Sequence, residues 1–414
     1  MKNKLFLALL AVAFAVTPSF ASVQNVKISG DVDTWYINRA NFDLGAQDGI
    51  GGDISQSFFV TQTRLRVDAD LTDNVSTTVA LINERAWNND PGSSSSGVDI
   101  NLAYVTLREM LYSPLTVVLG RQVFAYGNSL VVDATGTNNA SATDTGLNGI
   151  GDDLSKQSAM DAVRLIFDYK PLKLEFLYSK INTSTATAAT TPLANDDIDL
   201  YGANATYELG DAMNTQVEGY FFAKIDRSAP GGAGANKKNQ SDTVYVPGIR
   251  ASTNPVEGLN VQAELAWQGG NKVVTTTGTT GNMKREAWAA QFLASYKVPV
   301  LEQYKPVANY AFTHVSGDSN PDNVDNGHAR NASGETWTAW DPMFENQGGG
   351  TIYSAIFNLT NLNVHSVSLS ANPIEDVTTK VTWSSVWLDK EFDDSTGAAS
   401  TFSLVQPENK SIVN

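Results

Sequence analysis

The feature that most limits what this chain can fold into is a strict two-residue alternation, repeated in segment after segment. Thr61–Leu71, TQTRLRVDADL, puts Gln62, Arg64, Arg66, Asp68 and Asp70 on one face of an extended chain. Thr61, Thr63, Leu65, Val67, Ala69 and Leu71 take the other. Gln216–Asp226, QVEGYFFAKID, and Leu259–Gln268, LNVQAELAWQ, repeat the pattern, and Trp288, Ala290, Phe292, Ala294 and Tyr296 form a further apolar row. Side chains of a strand point alternately to opposite sides, so period two means a sheet wet on one face and apolar on the other.

Sixteen such segments can be read between residues 26 and 390: 26–39, 55–71, 74–87, 98–109, 115–124, 159–169, 172–181, 197–208, 213–226, 242–253, 258–269, 285–297, 304–315, 350–360, 364–372 and 376–390. Their connections alternate in length. Thr72-Asp73, Lys170-Pro171, Gly210-Asp211, Asn254–Glu257 and Pro373–Asp376 are tight. Asn88–Gly97, Ala125–Ser158, Asn182–Asp196, Arg227–Gln240, Gly270–Met283 and Gly317–Gly349 are long and rich in Gly, Ser, Thr, Asn and Asp. Tight turns at one end and long loops at the other predict an all-β, antiparallel up-and-down transmembrane barrel of 16–18 strands.

The N-terminus supports export. Lys2 and Lys4 precede the apolar run Leu5–Val16, and Ser19-Phe20-Ala21 is a small-x-small cleavage site. Residues 1–21 read as a signal peptide, with one barrel domain over 22–414. Removing the peptide takes the formal charge from −16 to −18. The chain has no cysteine, and after residue 21 no run of 18 apolar residues that could cross a membrane as a helix. Charged residues make up only 17%, against about a quarter in soluble domains. The acidity, with no Lys/Arg-rich block, excludes a nucleic-acid partner. The compartment that fits is a Gram-negative outer membrane.

In hydrocarbon every backbone polar group must find an internal partner, and a closed sheet achieves this without an edge. Aromatics then gather at strand ends as girdles. Tyr36, Trp87, Tyr104, Tyr169, Tyr178, Tyr207, Trp267, Tyr296, Trp383 and Trp387 sit at such ends. A secreted β-sandwich, with these aromatics as its core, is the alternative architecture.

Four local motifs carry a family resemblance. PLTVVLGRQVFAYGN (Pro114–Asn128), MDAVRLIFDY (Met160–Tyr169), HVSGDSNPDN (His314–Asn323) and WDPMFENQGGG (Trp340–Gly350) occur in order and span residues 114–350. Together they resemble the alginate-export outer-membrane porins. The resemblance implies an 18-stranded monomeric barrel that passes an anionic polysaccharide, or an unrelated small solute, through a basic lumen. The chain lacks the Trp and further Arg that the family carries between the first two motifs, which predicts a thinner basic lining. It ends on SLVQPENKSIVN, not on an amphipathic strand with a terminal aromatic. The expectation is that the last two strands of an 18-stranded barrel are missing.

Parity places Arg64, Arg66, Asp68, Arg164, Glu218, Lys224, Arg250 and Glu264 toward the lumen, where charge sets ion selectivity. The competing role for each is a wall-to-wall ion pair that stiffens the barrel. Arg121 shares parity with Leu115, Val117 and Leu119. Either a bulge at Gly120 turns it inward, so that Arg121 and Gln122 serve the pore, or it sits at the membrane rim. The resemblance implies the inward placement. Asp318, Asp322 and Asp325 space oxygen ligands like a calcium loop, but the downstream Glu is missing, and a solvated acidic loop is the rival reading.

No cofactor is implied. The histidines, His314, His328 and His365, lack metal-ligand spacing. No cysteine nucleophile, G-x-S-x-G elbow or phosphate loop is present, so an enzyme is not expected. The partners expected are outer-membrane lipid and a small solute or saccharide. A cation-preferring general porin is the alternative within the same fold.

Overall fold

Alternate β-branched and aromatic residues on one side and polar residues on the other keep the backbone extended, because each face then meets its own solvent. In the computed structural model this happens sixteen times. The structure describes residues 24–40, 55–87, 97–136, 158–182, 197–227, 241–276, 279–319, 324–325, 328–329, 336–347, 359–391 and 411–413. The strands are β1 (Asn25–Ala40), β2 (Ser55–Thr72), β3 (Val75–Ala86), β4 (Val98–Leu107), β5 (Leu115–Gln122), β6 (Met160–Asp168), β7 (Leu172–Asn182) and β8 (Ile198–Glu208). They continue as β9 (Gln216–Asp226), β10 (Asp242–Val256), β11 (Leu259–Thr276), β12 (Thr279–Lys297), β13 (Val307–Val315), β14 (Leu362–Ile374), β15 (Val377–Leu388) and the short β16 (Ser411–Val413).

Each strand pairs antiparallel with its chain neighbour from β1 to β16, giving one up-and-down sheet and not two sheets face to face. That topology removes the β-sandwich alternative. No pairing joins β1 to β15 or β16 among the described residues. The proposed signal peptide lies outside the described residues.

Two segments differ from the sequence reading. Gly270–Met283 is not a loop: β11 and β12 stay paired from Leu259↔Tyr296 to Thr276↔Thr279, so an 18- and a 19-residue strand form one long hairpin. The run Val273–Thr276, two valines and two threonines, has the β propensity to continue the ladder. The strand expected at 350–360 falls mostly outside the described residues. β13 pairs directly with β14, from Val307↔Ser370 to Val315↔Leu362.

Register assigns the faces. Arg64↔Asp31, Gln62↔Glu84 and Arg66↔Ala80 share the inner side of β1–β3. Leu65, Phe221, Ile249, Leu265, Trp267, Phe292, Val367 and Trp383 stand exposed on the outer side. An apolar exterior this extensive needs lipid against it. On β12 the outward residues run Trp288, Ala290, Phe292, Ala294, Tyr296. At ~3.4 Å per residue the two aromatic ends are about 27 Å apart along the strand, the scale of a ~25 Å apolar band. Among the expected girdle residues Tyr104 is the departure. It lies opposite Thr78 and Gly120 on the inner face, where glycine leaves room for a ring.

The buried core lies inside the sheet. The chain leaving β5 turns inward, and Phe124, Leu130, Val131 and Val132 pack on Leu200, Phe222, Val244 and Val246. Trp340, Met343 and Phe344 join them from the β13–β14 connection. The two inserted segments are hydrogen-bonded to each other: the Asp133 N–H donates to Phe344 O at 2.8 Å, and the Phe344 N–H to Val131 O at 3.0 Å.

Candidate functional site: the lumen and its inserted segments

Gln122 ends β5 on the inner face, and its Nε2 donates to the Ala162 carbonyl at 3.0 Å. From there the chain crosses the lumen to a tip at Gly127, whose φ of +62° suits glycine. A Cβ at this position would also strike the Glu264 carboxylate. The Gly127 N–H donates to Glu218 Oε1 at 2.9 Å, and the Asn128 N–H donates to Glu264 Oε2. Arg250 donates through Nε to Asn128 Oδ1 and through Nη2 to Gln262 Oε1 at 2.8 Å, with Glu218 at 3.4 Å. Tyr220 donates to Glu264 at 2.6 Å, and Tyr126 to Glu175 at 3.3 Å. Arg164 pairs with Glu175 at 2.6 Å. Three buried carboxylates, on β7, β9 and β11, therefore hold the tip against the wall. Each is compensated by donors, as burial of charge requires.

The second inserted segment is fixed by Asp341. Its carboxylate meets Lys224 at 2.6 Å and Arg285 at 3.5 Å, and Arg285 also pairs with Asp242 at 2.6 Å. Gln268 brackets the Asp341 backbone, donating to its carbonyl at 2.7 Å and accepting from its N–H at 2.8 Å. Burial alone pushes the Asp341 carboxyl up. The Lys224 and Arg285 charges outweigh burial and hold it down at about 2.

The rest of the inner surface is not packed by these segments. On β1–β3 the Arg64–Asp31 pair (3.0 Å) and the Arg66–Asp68 pair (2.8 Å) remain partly exposed, and Thr78 donates to Asp68 at 2.6 Å. On β13–β15 the inward positions carry Asn309, Ser366, Ser368, Thr382 and Ser384, a hydroxyl and amide wall with Lys380 at its tight-turn end.

Of the residues expected in the lumen, Arg64, Arg66, Asp68, Gln122, Arg164, Glu218, Lys224, Arg250 and Glu264 share the inner face. Arg121 does not. Pairing runs unbroken through Gly120 to both neighbours, so no bulge reverses the parity. Arg121 stands outward beside Asp161, 3.7 Å away, in one row with Lys180 and Asp199. Of the acidic loop, Asp318 is buried and accepts from the Thr338 N–H at 3.1 Å, a turn-closing role. Asp322 lies outside the described residues, and Asp325 sits in a two-residue ladder with His328. No group of three metal-ligating side chains occurs among the described residues.

Glu175, Tyr126, Asn128 and Asp341 were not singled out from sequence. Strand parity alone puts Glu175 inside, next to Leu177. The other three sit in irregular segments, where no periodicity announces their direction.

A lipid-facing antiparallel sheet with charged and hydroxyl residues inside defines an outer-membrane β-barrel channel. Comparison with known proteins makes this specific. Residues 33–406 match the alginate-export family, and the chain belongs to that family. Among solved structures it is similar to an anion-selective porin from Comamonas acidovorans at 12% identity and TM-score 0.48, covering 89% of this chain and 90% of that one. It is also similar to Salmonella typhi OmpF in complex with daunomycin, at 10% identity and TM-score 0.43, covering 87% and 97%. With TM-scores below 0.5, neither likeness bears on function. No curated protein matches the chain.

Proposed function

We propose that this channel passes neutral or weakly charged small solutes, saccharides among them, passively and as a monomer. It carries solutes and does not transform them. The observation that supports the reading is that the lumen guanidinium groups are compensated. Arg64, Arg66, Arg164, Arg250 and Arg285 have carboxylates at 3.0, 2.8, 2.6, 3.4 and 2.6 Å. A polyanion entering such a lumen meets a like charge beside each of these guanidinium groups, so they form no continuous basic track that draws it through. In this reading the path runs along the β1–β3 pairs and the hydroxyl wall of β13–β15. Gln122, Glu218, Lys224, Arg250 and Glu264 secure the packed side.

The test is the reversal potential of single channels in a planar bilayer under a potassium chloride gradient. A value near zero is expected. Anion preference by an order of magnitude would replace the reading with a polyanion channel, and equal cation preference would make the protein a cation-selective porin.

A further inference from the structure

A cavity of about 450 Å³ lies under the tip of the inserted loop. It runs from Tyr126 and Gly127 to the short turn at Lys170-Pro171, on the side of the sheet where connections are tight. Its size falls within the ~300–1,000 Å³ of small-molecule sites. Its lining is chemically specific. Lys173 pairs with Glu175, Arg250 lies 3.4 Å from Glu218, and Asn204 donates to Glu218. Thr206, Gln216 and Glu208 extend the wall, and Asp168 and Lys170 line it at the turn. Donors and acceptors are thus mixed around the cavity, and the two cations deepest in it, Lys173 and Arg250, each sit beside a carboxylate. A ligand ion of either sign would face a like charge within contact distance. A polyhydroxylated molecule would not, because every hydroxyl both donates and accepts.

We propose that this cavity is a binding subsite for a small uncharged saccharide entering from the tight-turn side. The subsite rests on the solute reading above and makes it specific: solute lodges against the inserted loop at the tight-turn mouth, beside the path along β1–β3 and β13–β15, and narrows that path while bound. Saturable affinity at one end of the channel follows, as does asymmetry between the two faces of the membrane.

The experiment adds maltose to one side of a bilayer holding oriented single channels and measures current block. Saturable block is expected from the tight-turn side and at least several-fold weaker block from the long-loop side. Thr206→Trp fills the cavity and should abolish the block. Glu208→Gln, at the end of β8, should weaken it several-fold with conductance in plain salt retained. If Thr206→Trp does not fold, Glu208→Gln decides. Block equal from both sides, block that fails to saturate, block unchanged in the variants, or stronger block by a methyl glucuronide would overturn the subsite. The reversal potential of the same channels separates the two ideas. Strong ion selectivity defeats the solute reading, whereas weak selectivity without saturable block defeats only the subsite.

Discussion

Replacing Asp341 by Asn should release the second inserted segment from the lumen wall, and the size of the effect can be worked out. The carboxyl is held at about 2, against an ordinary 3.8, by Lys224 and Arg285. At about 1.4 kcal/mol per pH unit, the charged form contributes roughly 2–3 kcal/mol to docking. Because the folded-state pKa is depressed, this contribution is present above the ordinary aspartate value. It is lost as pH falls from about 4 through 2. Burial pushes the Glu345 carboxyl up, so its contribution has the opposite sign. The backbone bonds to Gln268 survive in the variant, so docking weakens without a wholesale loss of contact. Local opening should become roughly 30- to 150-fold more frequent. The readout is hydrogen exchange at the Asp133 and Phe344 amides, which join the two inserted segments, with β8–β9 amides as the internal control. Wild-type protein should lose protection at Phe344 on acidification, and Asp341→Asn should start at that reduced protection and stay flat. If variant and wild type exchange alike at neutral pH, or share the same acid dependence, the ion pair does not dock the segment.

Three further outcomes follow from the register and the pairs. Gly120 has φ +118°, and any Cβ there would overlap the Ala103 carbonyl oxygen. Gly120→Val should therefore lower stability by at least ~1–3 kcal/mol, seen as a lower temperature for the heat-induced gel shift, and an unchanged temperature would contradict the strain. Neutralising Arg64 and Arg66 together to Gln leaves Asp31 and Asp68 uncompensated, so the reversal potential should move toward cation preference. No movement would place these pairs off the conduction path. Leu265→Arg puts a charge on the outer face and should destabilise folding into vesicles by ~2–4 kcal/mol, while Thr382→Arg on the inner face should do much less; equal effects would refute the face assignment.

The sequence alone decided the strands and their faces. Alternation is a local property, and the parity that sets Arg64, Arg164, Glu218 and Glu264 inward is written in each strand separately. The resemblance read from four short motifs agreed with the family to which the chain belongs. At Arg121 strand parity pointed outward and the resemblance implied a bulge that turns the charge inward; the neighbouring strands keep register, and the charge stays outside with Asp161, as parity had it. Local reading failed at Gly270–Met283, where polar composition suggested a loop and the partner strand kept the ladder going. Only the tertiary structure decided what fills the lumen. The inserted segments lack periodicity, and their positions depend on partners far away in the chain. Asn128 meets Glu264 across 136 positions, and Asp341 meets Lys224 across 117. Burial makes those carboxylates demand donors, and nothing short of the assembled sheet determines which donors lie within reach.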